Sequence, residues 1–559
     1  MNIKSFQYVW VFVMLLCLSP LYAQIPAAVN HPFGDNNKTK TSKTFTPPQL
    51  TKNKNIHHSK ADVLISIDYS SRLNPVSKYI YGINATTYTG NYLNDKKLMK
   101  HLQQLNPQII RFPGGDASNM YFFNHLPDDL PEKALTYNGA WTDFTDGSKE
   151  VNWKIHTKEY YALLDSVQAE GFITVNYAYA RYGTSENPVA RAASLAADWV
   201  RHDNGRTKFW EIGNETYACW EGGFRIDTSL NKDGQPEYIN GQLYGRHFKV
   251  FADSMRKAAA EQGNEIYIGA VFADDDEVWD GSGKGITRNW NNLLAKELRK
   301  KDGSNYADFI STHSYFLNKN EKTPAEIIHS YQVVNELQQY IHKKLEKAQL
   351  DQVPLALTEW NIKEPHQTTQ VGGLQALSTL GRLQEKGFGA ACYFAIKDYW
   401  RKEKGDFGMF SHNDPAVPQS EPYPSFYHFY YYNQVIGDKM IATHIDNTRD
   451  SLLCFASSYQ DGGIGLMLVN PTQKTLSAEF DITGFQEGKN YYWYEISKSE
   501  DGDIWSEKIA INGISHPQNA KGGPSSSFSE IPAWRHPTQN GIQLQVKGLS
   551  AVYILIEGK

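Results

Sequence analysis

Apolar and polar positions fall into two regimes along this chain. Between residues 79 and 425, short apolar runs rich in β-branched and aromatic residues alternate with longer stretches of helical period. That alternation is expected of strand–helix units around a parallel sheet. The runs 79–85, 108–112, 172–177, 208–212, 266–272, 308–313, 354–359 and 389–396 read as strands, and 93–105, 157–170, 190–201, 244–262, 325–348 and 372–387 read as helices between them. Eight strands at this spacing predict an α/β fold, a (β/α)8 TIM barrel with enlarged loops. From 426 to 559 the rhythm changes to short strands, at 452–457, 465–469, 476–482, 491–496, 542–546 and 552–556, separated by Gly, Asn and Pro turns. This predicts an all-β, antiparallel sandwich domain. The alternating stretch 63–67 is expected to add a strand to it from segment 61–78, before the barrel.

The N-terminus has a basic start at Lys4, an apolar run over 8–18 and Ala23 before Gln24, the form of a cleavable secretory signal over 1–23. The run is short of the roughly 20 residues a membrane span needs, so the expected location is periplasmic or extracellular. Residues 24–60, rich in Asn, Lys, Thr and Pro without apolar period, read as a disordered tether. The mature chain keeps Cys219, Cys392 and Cys454, an odd number, so at most one disulfide is expected.

Composition narrows the function classes. Hydrophobic residues at 40% and charged ones at 21% of 559 residues describe a soluble globular protein. A net charge of −5 gives no attraction to a phosphate backbone, so neither nucleic acid nor a membrane is expected as partner. Aromatic residues at 13% exceed what a core needs and point to grooves for flat ligands, carbohydrate first. No His and Cys spacing suggests zinc, and neither a phosphate-binding loop nor a nucleophilic Ser elbow occurs, so no metal and no cofactor is expected. The run Asp274-Asp275-Asp276-Glu277 reads as a solvated acidic loop.

Two apolar strands end in a carboxylate. Lys208 to Ile212 leads through Gly213 to Asn214-Glu215, and Leu355 to Thr358 leads to Glu359-Trp360-Asn361. At the C-terminal end of barrel strands both would face the catalytic mouth. One carboxylic acid and one carboxylate form the inventory that glycoside hydrolysis requires, with oligo- or polysaccharide as the substrate partner.

The segments Trp210-Glu211-Ile212-Gly213-Asn214-Glu215 and Thr358-Glu359-Trp360-Asn361 resemble the acid/base and nucleophile motifs of glycoside hydrolase clan A. Tyr81-Gly82-Ile83-Asn84 and Arg111-Phe112-Pro113-Gly114-Gly115 resemble the α-L-arabinofuranosidases of family 51. The resemblance implies a retaining double displacement, with Glu215 as acid/base, its pKa raised by its site, and Glu359 as nucleophile. It implies that Asn214 bonds the hydroxyl beside the anomeric carbon, that Arg111 holds the nucleophile ionised, and that His313 and Tyr315 stand beside it at the end of strand six. Asn84 belongs to the expected sugar contacts, with Trp220 and Trp400 as stacking walls, and the aromatic insert 116–153 is expected to shape the pocket. Thr358 stands where family 51 usually has an acidic residue, and 216–224 differs from the usual loop. The substrate expectation that the resemblance implies is an exo-acting α-L-arabinofuranosidase. The alternatives are an endo-glycanase on glucan, xylan or algal galactan, and a non-catalytic glycan-binding barrel.

Overall fold

The computed structural model describes residues 32–34, 43–56, 60–137, 139–143, 155–276, 289–316, 323–363, 365–402, 405–446, 452–500, 502–515 and 527–559. The expected signal and about half of the expected tether lie outside these residues.

Eight parallel strands close into a barrel: β1 (Gly82–Asn84), β2 (Ile109–Phe112), β3 (Glu170–Val175), β4 (Thr207–Ile212), β5 (Tyr267–Val271), β6 (Phe309–Tyr315), β7 (Leu355–Asn361) and β8 (Ala390–Tyr393). Each falls on an apolar run read from the sequence. Strand side chains alternate between faces, so inward positions two residues apart build stacked layers inside the barrel. The lower layer is apolar, with Ile109, Phe172, Phe209, Phe309, Ala356, Ala390 and Cys392 in one cluster. The layer above is polar and fully buried: Asn84, Arg111, Thr174, Glu211, Ser311 and Thr358. The same alternation therefore carries the barrel from an apolar base to a polar layer above it.

Two expectations need correction. The tether reading does not hold where the structure describes it. Phe33 is buried against the lower layer, its ring stacked on Phe209 at 4.8 Å and edge-on to Phe309 at 5.1 Å. Further on, Lys43 Nζ donates to the Ile436 carbonyl at 2.9 Å, and Thr51–Asn53 pairs in parallel with Ala533–Pro537. Single aromatic anchors in a polar stretch leave no period to read. The boundary at 426 also shifts, because Pro424–Val435 is a helix and the sheet domain resumes only with Lys439–Asp446. Its run of Tyr and Phe is buried on nearly every side, so it lacks the amphipathic stripe that marks a surface helix.

The accessory domain is an 11-stranded sheet, mostly antiparallel, into which Val63–Pro75 is inserted as expected. Its central strands, Leu453–Ser458 and Ile464–Asn470, are buried on both faces. In Ile464–Asn470, Ile464, Leu466 and Leu468 fill the sheet's own core, while Met467 and Val469 join the cluster that includes the barrel helices. Helix Gln370–Glu385 comes so close that a Cβ on Gly381 would lie 2.4 Å from the Phe455 ring. Cys219, Cys392 and Cys454 are buried and reduced, so no disulfide joins any two of them.

Candidate active site

The site is built upward from Arg111. Its guanidinium is fully buried in the polar layer and uses every face: Nε and Nη2 donate to Glu211 Oε2 at 2.9 and 2.7 Å, Nη1 to Asn84 Oδ1 at 2.9 Å and Glu359 Oε1 at 2.7 Å, and Nη2 to Asn214 Oδ1 at 2.8 Å. Thr174 and Thr358 hydroxyls complete Glu211 at 2.8 and 2.9 Å. Burial alone would raise the Glu211 carboxyl, but the Arg111 and His313 charges together with its hydrogen bonds outweigh it and hold the group below its ordinary range. Asn84 donates to the Thr358 and Cys392 carbonyls at 3.0 and 3.1 Å. Asn84 was expected to touch sugar; instead it is sealed under the carboxylates, where it orients Arg111.

Above this base β6 and β7 each shift register, between Thr312 and His313 and between Leu357 and Trp360, and His313 lies opposite Glu359. Such shifts re-aim side chains near a strand end. Glu359 accepts from Arg111, from the Gly115 N–H at 3.1 Å and, on Oε2, from Tyr315 Oη at 2.9 Å. Gly114 and Gly115 have φ of 79° and 65°, a conformation costly for other residues, and a Cβ on Gly114 would lie 2.7 Å from the Ala85 carbonyl oxygen. The turn that presents the Gly115 N–H thus depends on both glycines.

Glu215 has φ of 39°, a left-handed conformation that a non-glycine residue adopts at a cost of order 1–3 kcal/mol. His313 Nδ1 lies 3.0 Å from its Oε1, and Trp220 Nε1 donates to Oε2 at 2.8 Å. His313 Nδ1 is also 3.6 Å from Glu359 Oε2. One oxygen of each glutamate and a His313 nitrogen all lie within 4.8 Å of one another. This is the only group among the described residues with the spacing of a metal site, and the Arg111 cation bound to Glu359 opposes a second cation there.

The expectation of a raised Glu215 pKa is overturned for the unliganded protein. Burial does push it up, but the His313 hydrogen bond and charge, with the Trp220 N–H, bring it below the ordinary range. The proton is favoured on His313 instead. Burial opposes that imidazolium, yet Glu359 and Glu215 together raise its pKa.

Trp220 borders the mouth and is 41% exposed. Trp400 is half-buried after β8; the exposed ring in that loop is Tyr399, stacked on Tyr88 at 5.7 Å. In the insert after β2, Tyr121, Phe122 and Phe123 pack on Trp199 and Tyr179, while 144–154 lies outside the described residues. Its hairpin, Lys133–Thr136 with Gly139–Asp143, joins the loop after β4 through a Leu135–Arg225 bridge.

Several site residues were not singled out in the sequence. Glu211 is two residues past Phe209 and therefore inward, a parity signal that was readable. Asp116 follows the glycine pair and is exposed to solvent, yet the protein packed around it and the Glu359 and Glu215 charges push its carboxyl up to about 6. Asp274, taken for part of a solvated loop, is pushed up to about 6 by burial, Asp275 and Glu215. Asn119 and Glu221, bonded to each other and to Asn214, had no sequence signal.

No family model matches this chain, and no curated protein matches it in sequence. Solved structures do match. An α-L-arabinofuranosidase from Thermotoga maritima, in an arabinose complex, superposes with a TM-score of 0.62 over 89% of this chain and 100% of its own, at 19% identity. The GH51 α-L-arabinofuranosidase from Thermotoga petrophila gives 0.61 over the same shares at 17%. A family 44 xyloglucanase from Paenibacillus polymyxa gives 0.57 over 89% and 99% at 12%. The fold is that of family 51 and family 44 glycoside hydrolases. In this glycoside hydrolase fold the barrel mouth and the accessory sheet belong to one shared architecture, matched over nearly the whole chain.

Proposed function

We propose that this protein is a retaining glycoside hydrolase, exo-acting on α-L-arabinofuranosides of plant or algal polysaccharides, exported through its N-terminal signal. The observation that carries the reading is the approach of Glu215 and Glu359 oxygens to within 4.8 Å at the barrel mouth. Retaining enzymes hold their carboxyl groups at roughly 5–5.5 Å, whereas inverting ones leave room for a water.

In the first step Glu359 attacks the anomeric carbon and Glu215 protonates the departing oxygen. The Arg111 and Gly115 donors keep Oε1 of Glu359 as an acceptor, and the Tyr315 hydroxyl orients Oε2. The proton comes from the pair His313–Glu215: Nδ1 passes it to Oε1 across 3.0 Å, and Glu215 delivers that proton to the glycosidic oxygen and is left as a carboxylate. The second step reverses the path. Glu215 takes a proton from the attacking water, the Glu359 ester breaks, and the proton returns to His313. Asn214 bonds the hydroxyl next to the reacting carbon, Trp220 flanks the leaving group, and Trp400 belongs to an outer sugar contact.

An endo-glycanase of the same chemistry is the second reading, favoured by the likeness to a xyloglucanase and to CelM2, a bifunctional glucanase-xylanase. The test is hydrolysis of aryl glycosides and intact polysaccharides with products separated by size. Free arabinose from aryl arabinofuranoside and polymer supports the exo reading; oligosaccharides with the aryl arabinofuranoside untouched transfer the protein to the endo reading. Loss of cleavage in both Glu215→Gln and Glu359→Gln is expected. Full activity in either one contradicts the two-glutamate mechanism.

A further inference from the structure

Glu221 is a carboxylate that the proposed mechanism does not use. It lies in the loop after β4, 1% exposed, and is bonded to two side-chain amides rather than to a cation. Asn119 Nδ2 donates to its Oε2 at 2.6 Å, and Asn214 Nδ2 donates to its Oε1 at 3.1 Å. Asn119 closes the ring, donating to the Asn214 carbonyl at 2.9 Å and accepting from the Asn214 N–H at 3.4 Å. On its other side the Asn214 amide oxygen accepts from Arg111 at 2.8 Å.

These contacts leave Asn214 one orientation. With its amide turned over, NH2 would face the guanidinium and the amide oxygen would face Glu221, both repulsive. Arg111 fixes the oxygen end and Glu221 fixes the nitrogen end, which leaves the second N–H of the amide available for a ligand. We propose that Glu221 is a positioning residue that sets Asn214 for its bond to the sugar hydroxyl beside the anomeric carbon; the inference rests on the glycosidase reading above.

A requirement for two acceptor oxygens follows. Both Glu221 oxygens receive an amide N–H, so a glutamine of the same shape would turn an NH2 group toward one of these donors. Burial, Asp116 and Glu215 push its pKa well up, and the Asn119 N–H favours the ionised form against them.

The experiment compares Glu221→Gln and Asn214→Ala with the wild type on an aryl glycoside that the wild type cleaves and on its 2-deoxy counterpart. On the 2-hydroxy substrate, Glu221→Gln is expected to lower kcat by about tenfold or more with little change in KM, because a misaligned bond that strengthens in the transition state is lost. On the 2-deoxy substrate both variants are expected to fall within about threefold of wild type, since the Asn214 bond no longer counts. The double variant should be no slower than Asn214→Ala alone. Equal losses on both substrates, or full activity of Glu221→Gln, overturn the inference while leaving the glycosidase reading intact. Failure of the wild type to cleave any glycoside overturns both. A melting curve of Glu221→Gln matching the wild type confirms that the comparison concerns folded protein.

Discussion

Arg111 sets the charge balance of the mouth, with one guanidinium against Glu211 and Glu359. Arg111→Ala would leave Glu211 buried and unpaired, a loss of about 3–5 kcal/mol that should appear as a lower melting temperature. Arg111→Lys keeps the charge but not the fork, and is expected to fold with kcat reduced about 10²-fold. Wild-type turnover in Arg111→Lys would contradict this role. The proton on the His313–Glu215 pair sets the pH dependence. Since the His313 pKa is raised, kcat/KM should hold to pH values above the ordinary histidine value of about 6.5. His313→Asn should move the alkaline limb to lower pH, because the proton then depends on Glu215 alone; an unmoved limb contradicts the proton path. Folding follows the same sign. The native state binds the His313 proton more tightly than the unfolded chain, so this contribution is full below about pH 6.5 and fades as pH rises through the folded value. Glu215 and Glu359 were legible because each closes an apolar run. Asn119 and Glu221 were not, because 102 positions separate the bonded pair and nothing local marks either.

Strands were more legible than the segments around them. A strand buried by helices outside and side chains inside announces itself as a β-branched or aromatic run, and all eight barrel strands overlap such runs. The helix Pro424–Val435 was hidden by its own aromatic richness, and 325–348 is broken into Pro324–His329 and Val333–Lys347 by a single 3-10 turn at Ser330–Gln332. Phe33 shows what composition misses. One ring from a polar stretch closes the barrel's base, helped by Gly389, where a Cβ would lie 2.2 Å from that ring. Phe33→Ala is expected to cost about 3 kcal/mol, read as a lower denaturant midpoint at unchanged slope. An unchanged midpoint would return this stretch to the tether reading.

The barrel and the sheet share one apolar body, since alternate residues of the same strands serve the sheet core and the helices of the barrel. This explains how a fold shared with enzymes at 12–19% identity persists: parity, layer by layer, constrains residue class more than residue identity. The polar layer illustrates it. At position 358, where family 51 usually has an acidic residue, Thr358 donates its hydroxyl to Glu211, and the buried carboxylate beneath Arg111 comes from β4. The central claim is that two glutamates at this mouth act in succession on one anomeric carbon. It is tested most directly by NMR of the first-formed sugar released from an aryl glycoside, before mutarotation. The released sugar is expected to keep the anomeric configuration of the substrate; release of the opposite anomer would contradict a double displacement.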